Sequence, residues 1–211
     1  MAVIKSGILG GGSGSVGGVT MTAWKGRAVL KAKPISVANP NTTGQSNQRG
    51  SFKGASKLFS AILSTWVIPL WNRFSGDISG FNAIMKANTK FFNASGVPTW
   101  ADLVMSVGKM VPPTFGTIVA NHTTDVVSAV VNLPVDATWG MNGESAYVSV
   151  YNSTQGYWLV GTATGNPNAS VTVSFTDTKV NAADALKFFA AIKRTDGTQV
   201  SNSIFSAVSA T

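Results

Sequence analysis

Few side chains in this chain could carry out chemistry. Its one histidine is His122, in Asn121-His122-Thr123-Thr124, and it has no cysteine. Acid–base work by a single histidine needs an oriented partner. Asp125, three residues further along a strand end, does not supply that geometry, so His122 reads as a solvated loop residue. The acids are Asp77, Asp102, Asp125, Asp136, Glu144, Asp177, Asp184 and Asp196. Most stand beside Gly, Asn, Thr or Ser, where aspartate serves turns and caps. Nothing in their spacing marks the facing pair that glycoside hydrolysis requires. A histidine-based metal site needs more than one histidine, and the lack of cysteine removes thiolate sites, disulfides and cysteine catalysis. Gly12-Ser13-Gly14-Ser15-Val16-Gly17 satisfies G-x-G-x-x-G, but a dinucleotide site also needs a strand before it, a helix after it and an acid about 20 residues on. The first acid is Asp77, and Gly17-Gly18-Val19 does not complete a phosphate-binding loop. The expectation is a protein that is not an enzyme, with no cofactor, no metal and no small-molecule substrate.

Binding chemistry is better represented. The formal net charge is +8, and the excess lies in the first half. Up to Met110 there are twelve basic residues against two acids; beyond it there are four against six. Such asymmetry points to nucleic acid, an anionic surface or an acidic neighbouring subunit. Lys25, Arg27, Lys31, Lys33, Lys53 and Lys57 are the candidate nucleic-acid contacts, since lysine and arginine neutralise phosphates without reading sequence. Trp24 and Phe52 are interleaved with them. Phe52 falls in the apolar phase of a helix and is expected in the core, which leaves Trp24 as the stacking candidate. Tyr151, Tyr157 and Trp158 could serve a carbohydrate-binding surface, or simply fill a core.

The elements that must hold these residues divide the chain in three. Residues 1–40 form a glycine-rich basic arm whose ordering cost makes folding alone unfavourable. Trp24-Lys25-Gly26-Arg27 reads as a tight turn between two short strands. Residues 41–111 form a helical assembly region. One helix starts near Thr43 or Ser46 and reaches about Trp66, with Phe52, Ala55, Leu58, Phe59, Ile62, Leu63 and Trp66 on one face and Pro69 breaking the pattern. A second spans 79–93, and 100–107 is either a short helix or a strand. From 112 to 211 short β-rich segments predict strands at 117–120, 126–132, 145–151, 157–162, 170–176, 186–194 and 203–209. Asp196-Gly197 suits a hairpin turn. Seven such strands suggest an immunoglobulin-like or fibronectin-like sandwich. The expected class is therefore α+β: a glycine-rich arm with short strands and two or more helices, then an all-β immunoglobulin-like sandwich. No run reaches the roughly 20 apolar residues of a membrane span, and no apolar signal-peptide core follows Lys5. No membrane association is expected.

Gly7-x-Leu9-Gly10-x-x-Ser13-Gly14-x-Val16-Gly17-x-Val19, then Trp24-Lys25-Gly26-x-x-Val29 and Pro34, then Gln45-x-x-Gln48-Arg49-x-x-Phe52, resembles a family of uncharacterised proteins of Bacteroidetes and their phages. The likeness is good over about residues 4–60 and looser beyond. In that family the glycine-rich start leads into helices, and a β-sandwich-like half commonly follows. The resemblance implies a bacterial or phage setting, with the phage members being virion proteins.

Charge, glycine content and resemblance combine into one expectation. The chain is a bacteriophage virion structural or assembly protein, capsid- or tail-associated, made in the bacterial host cytoplasm. It would form a homo-oligomer through its N-terminal half and meet other virion proteins. Gly7, Gly10, Gly14, Gly17, Trp24, Gly26, Gln45, Gln48, Arg49 and Phe52 are the candidate assembly residues. The alternatives are a sequence-independent nucleic-acid-binding packaging protein and a cell-surface or carbohydrate-binding module.

Overall fold

The structure is a computed structural model that describes residues 2–4, 13–24, 27–36, 40–72, 78–134, 144–165 and 169–211. It is an α+β protein, with N-terminal strands and helices followed by β-sheets. The chain divides into two compact units, Met1–Thr42 and Thr43–Thr211. The boundary expected near residue 111 falls inside the second.

The first unit is an antiparallel sheet of β1 (Ala2–Ile4), β2 (Gly14–Val16), β3 (Val19–Trp24) and β4 (Arg27–Ala32), in the order β1-β4-β3-β2. Trp24 pairs with Arg27 across β3 and β4, and Lys25-Gly26 of the expected turn lie outside the described residues. A second hairpin joins β2 to β3. Val16 pairs with Val19 around Gly17-Gly18, and Gly17 has φ +55°, the left-handed conformation that two-residue hairpins require. The part of the glycine-rich arm from Gly14 to Trp24 is thus strand and turn. The G-x-G-x-x-G stretch runs into this turn and not into a helix.

In the second unit, α1 (Thr43–Ser60) buries Ser51, Ala55, Leu58 and Phe59, a stripe at 3–4 spacing that Ile62 continues. Phe52 lies one position off that stripe. It is 54% exposed, which corrects its expected place in the core. The helix does not run on unbroken to Trp66. The backbone leaves helical geometry at Ile62 (φ −114°, ψ 20°) and continues as one π-helical turn, Leu63–Val67, into α2 (Ile68–Trp71). The wider turn resets the phase: Leu63 is exposed, while Trp66, Val67, Leu70 and Trp71 are buried. Pro69 sits in the first turn of α2, where its missing N–H costs least. The second expected helix is α3 (Gly80–Asn88), opened by the Ser79 hydroxyl accepting from the Asn82 N–H and closed by a 3₁₀ turn, Thr89–Phe91.

The undecided 100–107 segment is a 3₁₀ turn, Trp100–Asp102, followed by extended chain outside any strand. Side chains do there what a ladder would do elsewhere. Trp66 and Trp71 both donate their indole N–H to the Met105 carbonyl, each at 2.8 Å. The buried Asn88 amide donates to the Val104 carbonyl at 2.8 Å and accepts from the Val104 N–H at 2.7 Å. Ser203 Oγ accepts from the Met105 N–H at 3.0 Å. Such pairing satisfies backbone groups that burial would otherwise leave costly.

The seven expected strands are all present as β5 (Thr114–Asn121), β6 (Val126–Asn132), β7 (Glu144–Asn152), β8 (Tyr157–Gly165), β9 (Ser170–Thr176), β10 (Ala185–Arg194) and β11 (Ile204–Ser209). They form a four-stranded sheet, β11-β10-β7-β8, and a three-stranded sheet, β5-β6-β9. On β10, Leu186, Phe188, Ala190 and Ile192 join a hydrophobic cluster with Val127, Ala129 and Val131 of β6. The alternate residues Phe189 and Ala191 join a second cluster with α1, α2 and α3. The central strand β10 is therefore buried on both faces, which explains its nearly continuous apolar run. Asp196-Gly197 forms the expected turn after β10, with Gly197 at φ +69° and Asp196 accepting from the Thr198 N–H at 2.8 Å.

Asp177 and Asp184 lie between β9 and β10, and both are buried. Asp184 accepts from the amides of Asn152 and Gln155, each at 2.7 Å, and from the Asn181 N–H at 3.0 Å. Asp177 accepts from the Tyr157 hydroxyl and from the Lys179 N–H. This network ties the β7–β8 turn to the β9–β10 connection. Burial, then the Asp177 hydrogen bond, push the Tyr157 phenol up to about 12.

Candidate binding groove

A groove of about 760 Å³ opens in the second unit between α1, the 93–98 turn and the outer part of the four-stranded sheet. Its first wall is α1, which contributes the exposed Lys53 and Lys57. Four residues is about one helical turn, so the two ammonium stems lie along one side of the groove, about 6 Å apart along the axis.

The second wall is a turn held unusually close to that helix. A Cβ at Gly50 would land on the Ala94 carbonyl, and one at Gly54 would land on the Gly96 backbone. Gly96 itself has φ +79°. The turn is fixed by Asn93, whose side-chain oxygen accepts from Ser95 N–H at 3.0 Å and Val97 N–H at 2.9 Å. Ser51, between the two helix glycines, is buried with its hydroxyl 3.0 Å from the carbonyls of both Phe92 and Asn93. Small residues one turn apart are what permit this approach of backbones.

The third side is aromatic. Tyr151 from β7 is held between Trp100 (4.8 Å between centroids, 28° between planes) and Trp158 of β8 (4.9 Å, 53°). Trp158 is backed by Phe189 at 6.3 Å. All three groove rings are half-buried, and burial pushes the Tyr151 phenol up, so it stays neutral across the physiological range. No carboxylate lies among the lining residues described.

The residues singled out from sequence do not converge on one place. Gly7, Gly10, Lys25 and Gly26 lie outside the described residues. Gly14 is in β2 and Gly17 in the turn after it; Trp24 ends β3 and Arg27 begins β4. Lys31 and Lys33 are exposed in the first unit. Gln45, Gln48, Arg49 and Phe52 are exposed along α1. Only Lys53 and Lys57 of the basic set line the groove, where they meet Tyr151 and Trp158 from the aromatic set. Tyr157 is held elsewhere, in the Asp177 network. Trp100 and the glycine pair went unrecognised in the sequence. Gly50-x-x-x-Gly54 within an apolar-phased helix was the available signal for a close backbone contact. His122 is exposed at the end of β5, and no group of three or more metal-ligating side chains occurs among the described residues.

Fold and groove define an α+β protein with an N-terminal strand unit, a helical segment, and sheets carrying an aromatic–lysine groove. The chain belongs to a family of unknown function, DUF6266, whose model matches residues 11–207. None of the curated proteins compared with it matches. No helix among the described residues is long and apolar enough to cross a membrane.

Proposed function

We propose that this chain is a non-enzymatic assembly protein that self-associates through its N-terminal strands, with a bacteriophage virion as its setting. The first unit carries the reading. Among the residues of this unit whose side chains are described, Val29 is the one buried hydrophobic, and all three residues of the outer strand β2 are exposed. A unit of about 40 residues rarely buries enough apolar surface to offset its ordering entropy. An open strand edge is a template for pairing with another chain, and a second copy of the same edge would supply both the hydrogen bonds and the missing burial. The virion setting rests on the resemblance of the glycine-rich, W-K-G and Q-x-x-Q-R segments to phage proteins. One histidine and no cysteine leave catalysis few groups to work with. The sheet order β11-β10-β7-β8 beside β5-β6-β9, with one cluster shared between the two sheets, supports an immunoglobulin-like or fibronectin-like sandwich as the finer description of the C-terminal half.

The test is the mass of the full chain in solution across a concentration series. Wild type is expected to form oligomers. Val16→Lys is expected to shift them towards monomer at least tenfold in concentration, because it places a charge on the open edge at a side chain that is 75% exposed. A wild-type monomer at every concentration, or oligomers unaffected by Val16→Lys, would overturn the reading.

A further inference from the structure

We infer that the groove between α1 and the Trp100–Tyr151–Trp158 stack binds a segment of single-stranded nucleic acid, bases on the aromatic side and backbone along Lys53 and Lys57. This goes beyond the assembly reading and uses a different part of the chain.

Three observations carry it. The first is charge: two exposed lysines and no carboxylate among the described lining residues make the groove complementary to an anion. The second is the kind of surface facing them. Trp100 ends the aromatic stack, with Tyr151 covering one face of its ring at 4.8 Å. Ring faces combined with a cationic rail are the elements of single-strand recognition, because every base offers a face to stack and every nucleotide a phosphate. The third is what the lining lacks. A sugar hydroxyl both donates and accepts, and carboxylates, which accept, and amides, which do both, have the most capacity to meet it. Among the described residues the groove offers glycine, alanine, serine and apolar side chains in their place. A neutral oligosaccharide would find few acceptors there. The spacing of the lysines favours a strand over a single phosphate: they lie along the groove, one helical turn apart, and do not converge on one point.

The close packing of α1 against the 93–97 turn gives the groove a preformed wall. Gly50 and Gly54 sit where any side chain would collide with that turn. A strand entering the groove therefore meets a surface that is already ordered, which lowers the cost of binding.

The experiment is fluorescence anisotropy of a labelled twelve-nucleotide oligo(dT) with the full chain, across a salt series. Wild type is expected to bind with a salt-dependent affinity. In Lys53→Gln/Lys57→Gln the slope of log K against log salt should fall by about 1.4, at roughly 0.7 per phosphate neutralised on a single strand. Affinity at low salt should fall at least tenfold. Both lysines are exposed, so circular dichroism should show the fold unchanged. Lys31→Gln/Lys33→Gln, in the first unit, serves as the control and should leave most of the affinity intact. Three results would overturn the inference: no binding of oligo(dT); loss of binding with the Lys31/Lys33 variant but not with the Lys53/Lys57 variant; or displacement of the oligonucleotide by a polyuronate at lower charge concentration than by unlabelled DNA. Equal competition by thymidine monophosphate at matched nucleotide concentration would also reject a strand as the occupant. None of these outcomes depends on whether the chain self-associates.

Discussion

Gly54→Ala is expected to destabilise the chain by about 2 kcal/mol, although alanine is the better helix former. In an exposed helix interior the exchange should stabilise by about 1 kcal/mol. At this position the new Cβ would occupy the place of the Gly96 backbone, and a backbone cannot rotate out of the way as a long side chain can. Overpacking of this kind costs about 1–3 kcal/mol, with a direct backbone collision at the upper end. The net sign is therefore unfavourable. Gly44→Ala supplies the contrast. It lies in the same helix with nothing within 4 Å of the added carbon, so it should be neutral to stabilising by up to about 1 kcal/mol. The urea midpoint should fall for Gly54→Ala and hold or rise for Gly44→Ala. If both rise, α1 and the 93–97 turn are not in close contact, and the groove loses its second wall.

Asp184→Asn should cost about 2 kcal/mol at neutral pH, and the cost should shrink in acid. Asp184 is 3% exposed and accepts three hydrogen bonds, from Asn152, Gln155 and the Asn181 N–H. All three donors converge on Oδ2, so an amide oxygen placed there keeps the acceptor but not its charge, and hydrogen bonds to a charged group contribute about 1.5–3 kcal/mol against about 1 for neutral ones. Desolvation alone would raise the Asp184 pKa. The Asn181 N–H and the Asn152 and Gln155 amides outweigh it and hold the carboxyl below its ordinary value. A carboxylate with a depressed folded-state pKa contributes stability above its unfolded value, which is near pH 4. That contribution is lost as pH falls through the folded value. The gap between wild type and Asp184→Asn should accordingly be widest near pH 7 and narrow steadily below about pH 4. A gap that stays constant down to pH 3 would mean that the carboxylate charge plays no part in holding the β7–β8 turn to the β9–β10 connection. Tyr157 marks the other limit of this network. Its phenol is raised to about 12, so the neutral hydroxyl that Asp177 accepts from contributes stability that is lost only as pH rises from about 10 through 12.

Self-association is assigned to the first unit and nucleic-acid contact to the second, so Val16→Lys and Lys53→Gln/Lys57→Gln should separate the two activities.

What the sequence determined by itself is the set of local elements. Seven β-rich segments bounded by Gly, Asn, Asp and Pro all became strands, because alternation and turn chemistry act over a few residues and need no partner to be read. The Asp196-Gly197 turn was legible for the same reason. The family membership was legible in outline from the N-terminal spacing, and the matched region extends well beyond it. Phase over a long helix was not legible. Phe52 and Leu63 each lie one position past a buried stripe residue, Ser51 and Ile62, and apolar character alone did not separate the edge of the stripe from its centre; the π-helical turn after Ile62 was hidden as well. The path of residues 103–106 was equally hidden, since its hydrogen-bond partners Trp66, Trp71, Asn88 and Ser203 are distant in sequence. The groove was beyond reach for that reason too. Lys53, Gly54, Gly96, Trp100, Tyr151 and Trp158 belong to five separate segments, and only the packing of α1 onto the four-stranded sheet brings them together. Composition could supply the cations and the aromatic rings, but tertiary contact decided which of them would face one another.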